Sequence, residues 1–267
     1  MSKSVVYVGL DVHKDSIEIA VAREGRTPAV RWKTIPYDGV RLRKALKMLI
    51  KDGEVLKACY EAGPTGFGLY RRLQKAGIDC IVVAPSLVPG RPGDRVKTDR
   101  RDAKRLAHFL RSGDLTEVHV PDAAVEAVRD LERARGDAKC AERAARHQLS
   151  KFLLRHDRPW NDKAWTQKHL NWIRTQKFAY PAQQRVLADY LKAVEDLTER
   201  VASLTSALEE LVQETVLAPL VKALQAFRGI SALSAITIAA EVGGDLRRFA
   251  TAGQFMSYVG LAVLPES

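Results

Sequence analysis

Apolar positions in the first third of the chain recur with a period of two. Val5 to Leu10 is a short, β-branched apolar run, and Ser16 to Ala22 (SIEIAVA) alternates apolar and polar residues, which predicts two strands joined by a tight acidic turn. A third strand is predicted over Val30 to Ile35. The spacing of Leu42, Leu46, Leu49 and Ile50 then predicts a helix over Val40 to Ile50. LKACYEA, from Leu56 to Ala62, reads as a fourth strand. Past the AGPTG break, FGLYRRLQKAG reads as a helix that Gly77 terminates, and IDCIVVAP as a fifth strand. Strands first, then β-α-β, imply a mixed sheet flanked by helices. The Pro- and Gly-rich stretch SLVPGRPGDRV is a loop, and KTDRRDAKRLAHFLRSG a helix capped by Thr98 or Asp99 and stopped at Gly113.

From Pro121 the period lengthens to three or four. Val125, Val128, Leu131, Ala134, Ala138, Ala141, Ala145, Leu149 and Phe152 mark one long amphipathic helix. Leu187, Leu191, Val194, Leu197, Val201, Leu204, Leu208 and Leu211 mark a second. Such seams suit an α-hairpin within the chain or a coiled coil between chains; near-heptad spacing of mainly Leu and Val favours the second, hence a homo-oligomer, a dimer or tetramer. Between the helices lies a basic insert, residues 156–181, with Trp160, Trp165 and Trp172, for which packing is favoured over base stacking. The last segment holds two short apolar helices around Gly229 and Gly243. They suggest a helix-hairpin-helix-like unit whose turn, at Arg228 and Gly229, can offer backbone N–H groups to a phosphate. The predicted division is thus 1–120, 121–216 and 217–267.

Charge adds a partner to this outline. The 267 residues carry 43 Lys and Arg against 32 Asp and Glu, a formal charge of +11, which points to a polyanion and first of all to nucleic acid. Three widely spaced cysteines, Cys59, Cys80 and Cys140, suggest neither a disulfide framework nor a zinc site and are expected to be buried thiols. The N-terminus lacks the apolar core of a signal peptide, and no run of 18 apolar residues occurs, so a cytoplasmic protein without membrane contact is expected.

Four acids stand where the predicted sheet meets its loops. Asp11 follows the first strand, Glu61 ends the fourth, and Asp99 and Asp102 open the helix after the loop, three residues apart and so on one helix face. Each alone reads as a turn, surface or helix-cap residue. Together they offer four hard oxygen donors for Mg2+ or Mn2+, ions able to clamp the attacking and leaving oxygens of a phosphodiester. Arg91, Arg95, Lys97, Arg100, Arg101, Lys104 and Arg105 surround the helix start and could hold a nucleic-acid backbone across such a site.

VGLDVHKDSIEIAVA, YEAGPTGFGLYRRL and KTDRRDAKRLA resemble, in order and spacing, three motifs of the DEDD-type insertion-sequence transposases, the family that includes the Piv-like DNA invertases. The resemblance implies a RuvC-like, RNase-H-like first domain whose catalytic, metal-holding acids fall on Asp11, Glu61, Asp99 and Asp102. It also implies a coiled coil joining subunits and a C-terminal transposase domain, expected to be incomplete here. DNA is the implied substrate, with an element-encoded guide RNA as partner. A serine nucleophile that links covalently to DNA would fall on Ser267. A Holliday-junction-type endonuclease would use the same fold and acids, and a catalytically dead nucleic-acid-binding remnant is a further alternative. An actin-like ATPase would need a second Gly-rich phosphate loop, which the sequence lacks.

Overall fold

The computed structural model of the chain describes residues 4–89 and 99–260, with backbone alone for 99–101. The chain divides into two compact units, 1–120 and 121–267.

The first unit is built on five strands, β1 (Val5–Val12), β2 (Ser16–Arg23), β3 (Val30–Pro36), β4 (Val55–Glu61) and β5 (Asp79–Val83), in the order β3-β2-β1-β4-β5. β1 pairs antiparallel with β2 and parallel with β4. Helices α1 (Gly39–Leu49), α2 (Gly68–Lys75) and α3 (Asp99–Ser112) cover the sheet. Even-numbered residues of β1 and β4 (Val6, Val8, Leu10, Leu56, Ala58, Tyr60) face α1 and α2 and share a core with Leu42, Leu46, Leu69 and Leu73. The opposite face, small where α3 lies, carries Ala20, Ala22 and Cys59 against Ala103, Leu106 and Ala107. Covered on both faces, β1 is buried continuously through Val8, Gly9 and Leu10, as central strands of such layered folds are. Asp38 caps α1, and Gly77 and Gly113, at φ of 72° and 80°, end α2 and α3 as their sequence positions suggest. This is the expected mixed sheet with flanking helices, consistent with an RNase-H-like domain.

The second unit is helical: α4 (Ala123–Arg155), α5 (Gln167–Thr175), α6 (Pro181–Val212), α7 (Ala218–Gln225), α8 (Ala232–Val242) and α9 (Ala252–Tyr258). Asp122 caps α4, and Pro181 opens α6 at the position where a missing N–H costs nothing. The two long helices pack on each other within the chain and run in opposite directions, since Arg135 bonds Thr205 at 2.9 Å while Glu142 meets Thr198 at 3.0 Å. Near one end Val125 and Val128 pack with Leu208, Val212, Leu217 and the apolar face of α8; near the other Ala145, Leu149 and Phe152 pack with Ile173, Leu187 and Val194. The apolar seam is therefore used by an α-hairpin, the alternative that heptad spacing had made second choice. Of the seam residues, Ala141 and Leu211 are exposed instead. Cys140 is exposed too, against expectation, because it sits on the solvent side of α4; Cys59 and Cys80 are buried.

The insert contains α5, which its irregular apolar spacing did not announce. Its three tryptophans close around buried His169, whose ring lies 4.9, 5.2 and 5.8 Å from those of Trp160, Trp165 and Trp172. Packing thus accounts for them. Gly229, at φ 92°, makes the turn between α7 and α8 with exposed Arg228 beside it, and Gly243, at φ 86°, ends α8. No helix among the described residues is long and apolar enough to cross a membrane.

Candidate active site

Strand register brings acids to one edge of the sheet. Asp11 is paired with Glu18 across β1 and β2, and Leu10 with Tyr60 across β1 and β4, so Asp11 stands next to Glu61 one step further along the parallel pair. Residues in register share a face. Asp11 and Glu61 have the parity of Gly9 and Cys59, so both belong to the face that α3 covers.

Gly9 fixes how closely α3 lies. A Cβ there would sit 2.2 Å from the Ala103 carbonyl oxygen and 2.5 Å from the Ala107 nitrogen, so helix backbone rests directly on strand backbone. The Cys59 thiol reaches the Leu106 carbonyl at 3.5 Å from the neighbouring strand. Direction follows from Arg111, near the far end of α3, which bonds the carbonyls of Arg23 (3.0 Å) and Thr27 (2.5 Å). Arg23 pairs with Val6 at the start of β1. The first turn of α3 therefore stands at the other end of β1, beside Asp11. From Ala103 back to Asp99 is about 6 Å of helix rise, and from Gly9 on to Asp11 about 7 Å of strand, so the backbone of Asp99 is level with Asp11.

Asp11 is 19% exposed and its Oδ2 lies 3.1 Å from His13 Nε2. Asp102 is 20% exposed and its Oδ1 lies 3.4 Å from Arg105 Nη1, while Arg105 also donates to the Pro89 carbonyl at 3.0 Å. Glu61 is half buried at the end of β4. Among the described residues, which do not include the Asp99 side chain, no three His, Cys, Asp or Glu side chains are spaced to hold a metal ion. The donor set suits a hard cation; the carboxylates of Asp11 and Asp102 lie beside His13 and Arg105 respectively.

Sequence reasoning missed Glu18. It occupies the same row as Asp11, is 5% exposed, and binds Arg31 and Thr34, with Arg31 Nη2 3.4 Å from its carboxylate and 2.6 Å from the Thr34 hydroxyl. The hydrogen bond and charge of Glu18 raise the Arg31 guanidinium above its usual pKa. The available signal was a charged residue flanked by two isoleucines in a strand that a two-sided sheet must bury. Of the predicted backbone-binding residues, Lys104 is exposed and Arg105 half buried on α3, and Arg100 and Arg101 belong to its first turn. Arg91, Arg95, Lys97 and Ser267 lie outside the described residues.

The pattern of the DEDD domain of IS110 elements, described as a transposase, matches residues 8–156, and that of the transposase IS116/IS110/IS902 family matches residues 221–267. A protein of Sinorhizobium fredii named "Putative transposase y4qE" is 44% identical over 257 residues, covering 96% of this chain and 62% of its own length. A Leptospira borgpetersenii protein named as the transposase for insertion sequence element IS1533 is 34% identical over 243 residues, covering 90% of this chain and 70% of its own. The chain thus spans less than two thirds of the first relative, and the activity of the whole protein is a separate question. With a family pattern across more than half of its residues and two relatives aligned along nearly all of it, the chain belongs to the IS110 family of insertion-sequence transposases.

Proposed function

We propose that the chain carries the DNA-processing carboxylate domain of an insertion-sequence transposase, with Asp11, Glu61, Asp99 and Asp102 as its catalytic acids. The observation that supports this most is the register neighbourhood of Asp11 and Glu61 at the end of the two central parallel strands, with the first turn of α3 level with them. Those four carboxylates would hold Mg2+ or Mn2+, and a bound divalent ion supplies charge neutralisation at a scissile phosphate. His13 and Arg105 then act as placeholders. Each pairs with one acid, and each is a cation or hydrogen-bond donor that could bond substrate phosphate oxygens where those carboxylates hold an ion instead. Lys104, Arg100 and Arg101, with Arg91, Arg95 and Lys97 before them in sequence, give the helix start a positive rim for the strand.

In the fuller reading, residues 217–267 open the C-terminal transposase domain, and the Ser267 oxygen attacks the phosphorus to leave a phosphoserine ester and a free DNA hydroxyl. Arg228 and Gly229 would contact backbone phosphate. An element-encoded guide RNA would select the DNA, and pairing between copies would assemble a homo-oligomer. Family resemblance carries these parts. The test incubates the chain with labelled element-end DNA, the RNA transcribed from the element and Mg2+, and reads cleaved ends and covalent adducts on a denaturing gel. Asp11→Asn and Glu61→Gln should abolish processing while leaving a cooperative fold. Undiminished processing by either variant refutes the acid assignment, and a Ser267→Ala variant that still forms adducts refutes the nucleophile.

A further inference from the structure

The second unit holds a charged cleft that no step of the proposed reaction uses. It measures about 270 Å³ and is lined by Lys139, Glu142, Arg143, Arg146 and His147 of α4 and by Trp165 of the insert. Spacings of three and four return these α4 side chains to one helix face.

Glu142 organises the cleft from below. It is 2% exposed and accepts from Lys139 Nζ at 2.6 Å, Arg146 Nη2 at 2.5 Å and the Thr198 hydroxyl at 3.0 Å. Burial raises its pKa, but the bonds from Lys139 and Thr198 and the Arg146 charge outweigh that and bring it below the usual carboxylate value. One ionised carboxylate thus fixes two cations. Arg143 is a third, exposed and with no ion pair among the described residues, which leaves the lining with an excess of positive charge.

Trp165 holds the arrangement from the side. The Arg146 guanidinium lies 5.1 Å above its ring, and Arg146 Nε is a buried donor with no hydrogen-bond partner. Trp165 sits at φ 62°, a left-handed conformation that bulky residues rarely adopt, held by a 2.9 Å bond from its N–H to His169 Nδ1. Backbone strain is thus sustained where the ring meets the guanidinium. Because Arg146 covers that ring face, the ring is no open platform for a base. What the cleft presents is a set of planar and ammonium donors with surplus charge, the complement of phosphate oxygens.

We propose that this cleft binds the phosphodiester backbone of a nucleic-acid strand, by charge and donor geometry and without reading bases. The acids of the first unit play no part in it, so binding measured in EDTA stands or falls separately from the reaction proposed above.

The experiment uses the full chain and end-labelled single-stranded RNA and single-stranded DNA of one mixed sequence, in EDTA, with affinity read by fluorescence anisotropy across a salt series. Arg143→Glu reverses an exposed, unpaired charge. It should weaken binding about tenfold and reduce the slope of log affinity against log salt by about 1. Arg143→Gln should give a smaller loss in the same direction. Lys47→Glu, an exposed charge reversal on α1, is the matched control, and unchanged helicity shows that both reversals fold. Loss on the RNA alone assigns the cleft to RNA, loss on the DNA alone to DNA, and equal loss to the phosphate chemistry they share. If Arg143→Glu matches Lys47→Glu on every strand, the proposal is overturned.

Discussion

Replacing Gly9 with alanine tests the geometry on which the acid site depends. The added carbon would lie 2.2 Å from the Ala103 oxygen, against about 3.5 Å for an ordinary contact, so α3 must move by roughly 1.3 Å. The next atom, the Ala107 nitrogen at 2.5 Å, is also backbone, and no side-chain rotation relieves either clash. Overpacking costs about 1–3 kcal/mol, and a clash between backbones belongs at the upper end. Taking about 3 kcal/mol, the equilibrium between closed and open forms shifts by roughly 100-fold; for a unit of about 120 residues the melting temperature would fall by about 12 °C. Amide hydrogen exchange read by mass spectrometry resolves the two units. Peptides from β1, β4 and α3 should lose about two orders of magnitude of protection, while those from α4 and α6 keep theirs. DNA processing should also drop by about 100-fold even at temperatures where the unit stays folded, because a displacement near 1 Å in an oriented site costs that much. Protection within threefold of the parent would refute the close approach and with it the placement of Asp99 beside Asp11.

Other consequences are simpler to check. Trp165 donates to Nδ1 of buried His169, and burial lowers the His169 pKa, so the fold prefers the neutral ring; the unfolded chain binds the proton more readily. Stability of the second unit should therefore be complete above about pH 6.5 and decline as pH falls below it. A urea midpoint that is flat or rising toward pH 5 would contradict this. Arg129 donates to the Ala240 carbonyl at 2.9 and 3.1 Å and to that of Glu241 at 3.1 Å, capping the end of α8. Arg129→Ala should cost about 1.5–3 kcal/mol in denaturant unfolding, as loss of charged hydrogen bonds does. Burial raises the Cys59 thiol and pushes that of Cys80 up to about 12, whereas Cys140 is exposed. A maleimide should therefore add once to the native protein and three times in denaturant, counted by intact mass.

Much of the first unit was legible because its two strand periods and its glycine stops are local signals. The ends of β1 and β4 fell within a residue or two of prediction, and Asp11 and Glu61 could be named because they end apolar runs. Register was not legible: nothing local says that Glu18 pairs with Asp11, and the partnership with exposed Arg31 and Thr34 that makes buried Glu18 tolerable spans a bulge between Ile19 and Ala20. The long helices of the second unit were clear from their spacing. Their partner was not, since an apolar seam is the same whether a neighbouring helix comes from the same chain or another. Glu142 escaped notice for a related reason, because its burial depends on Thr198, 56 residues away.

The bare contact at Gly9 also orders events during synthesis. β1 leaves the ribosome about ninety residues before α3, and the parallel partner β4 and the edge strand β5 arrive in between. Until α3 emerges, the face carrying Ala20, Ala22, Cys59 and Val83 has no cover, and nothing stands beside Asp11 from the helix side. Such non-local closure is slow, and the uncovered sheet is sticky while it waits. The same delay means that, in a nascent chain, the four acids proposed above come to one end of the sheet only once the last helix of the first unit has docked.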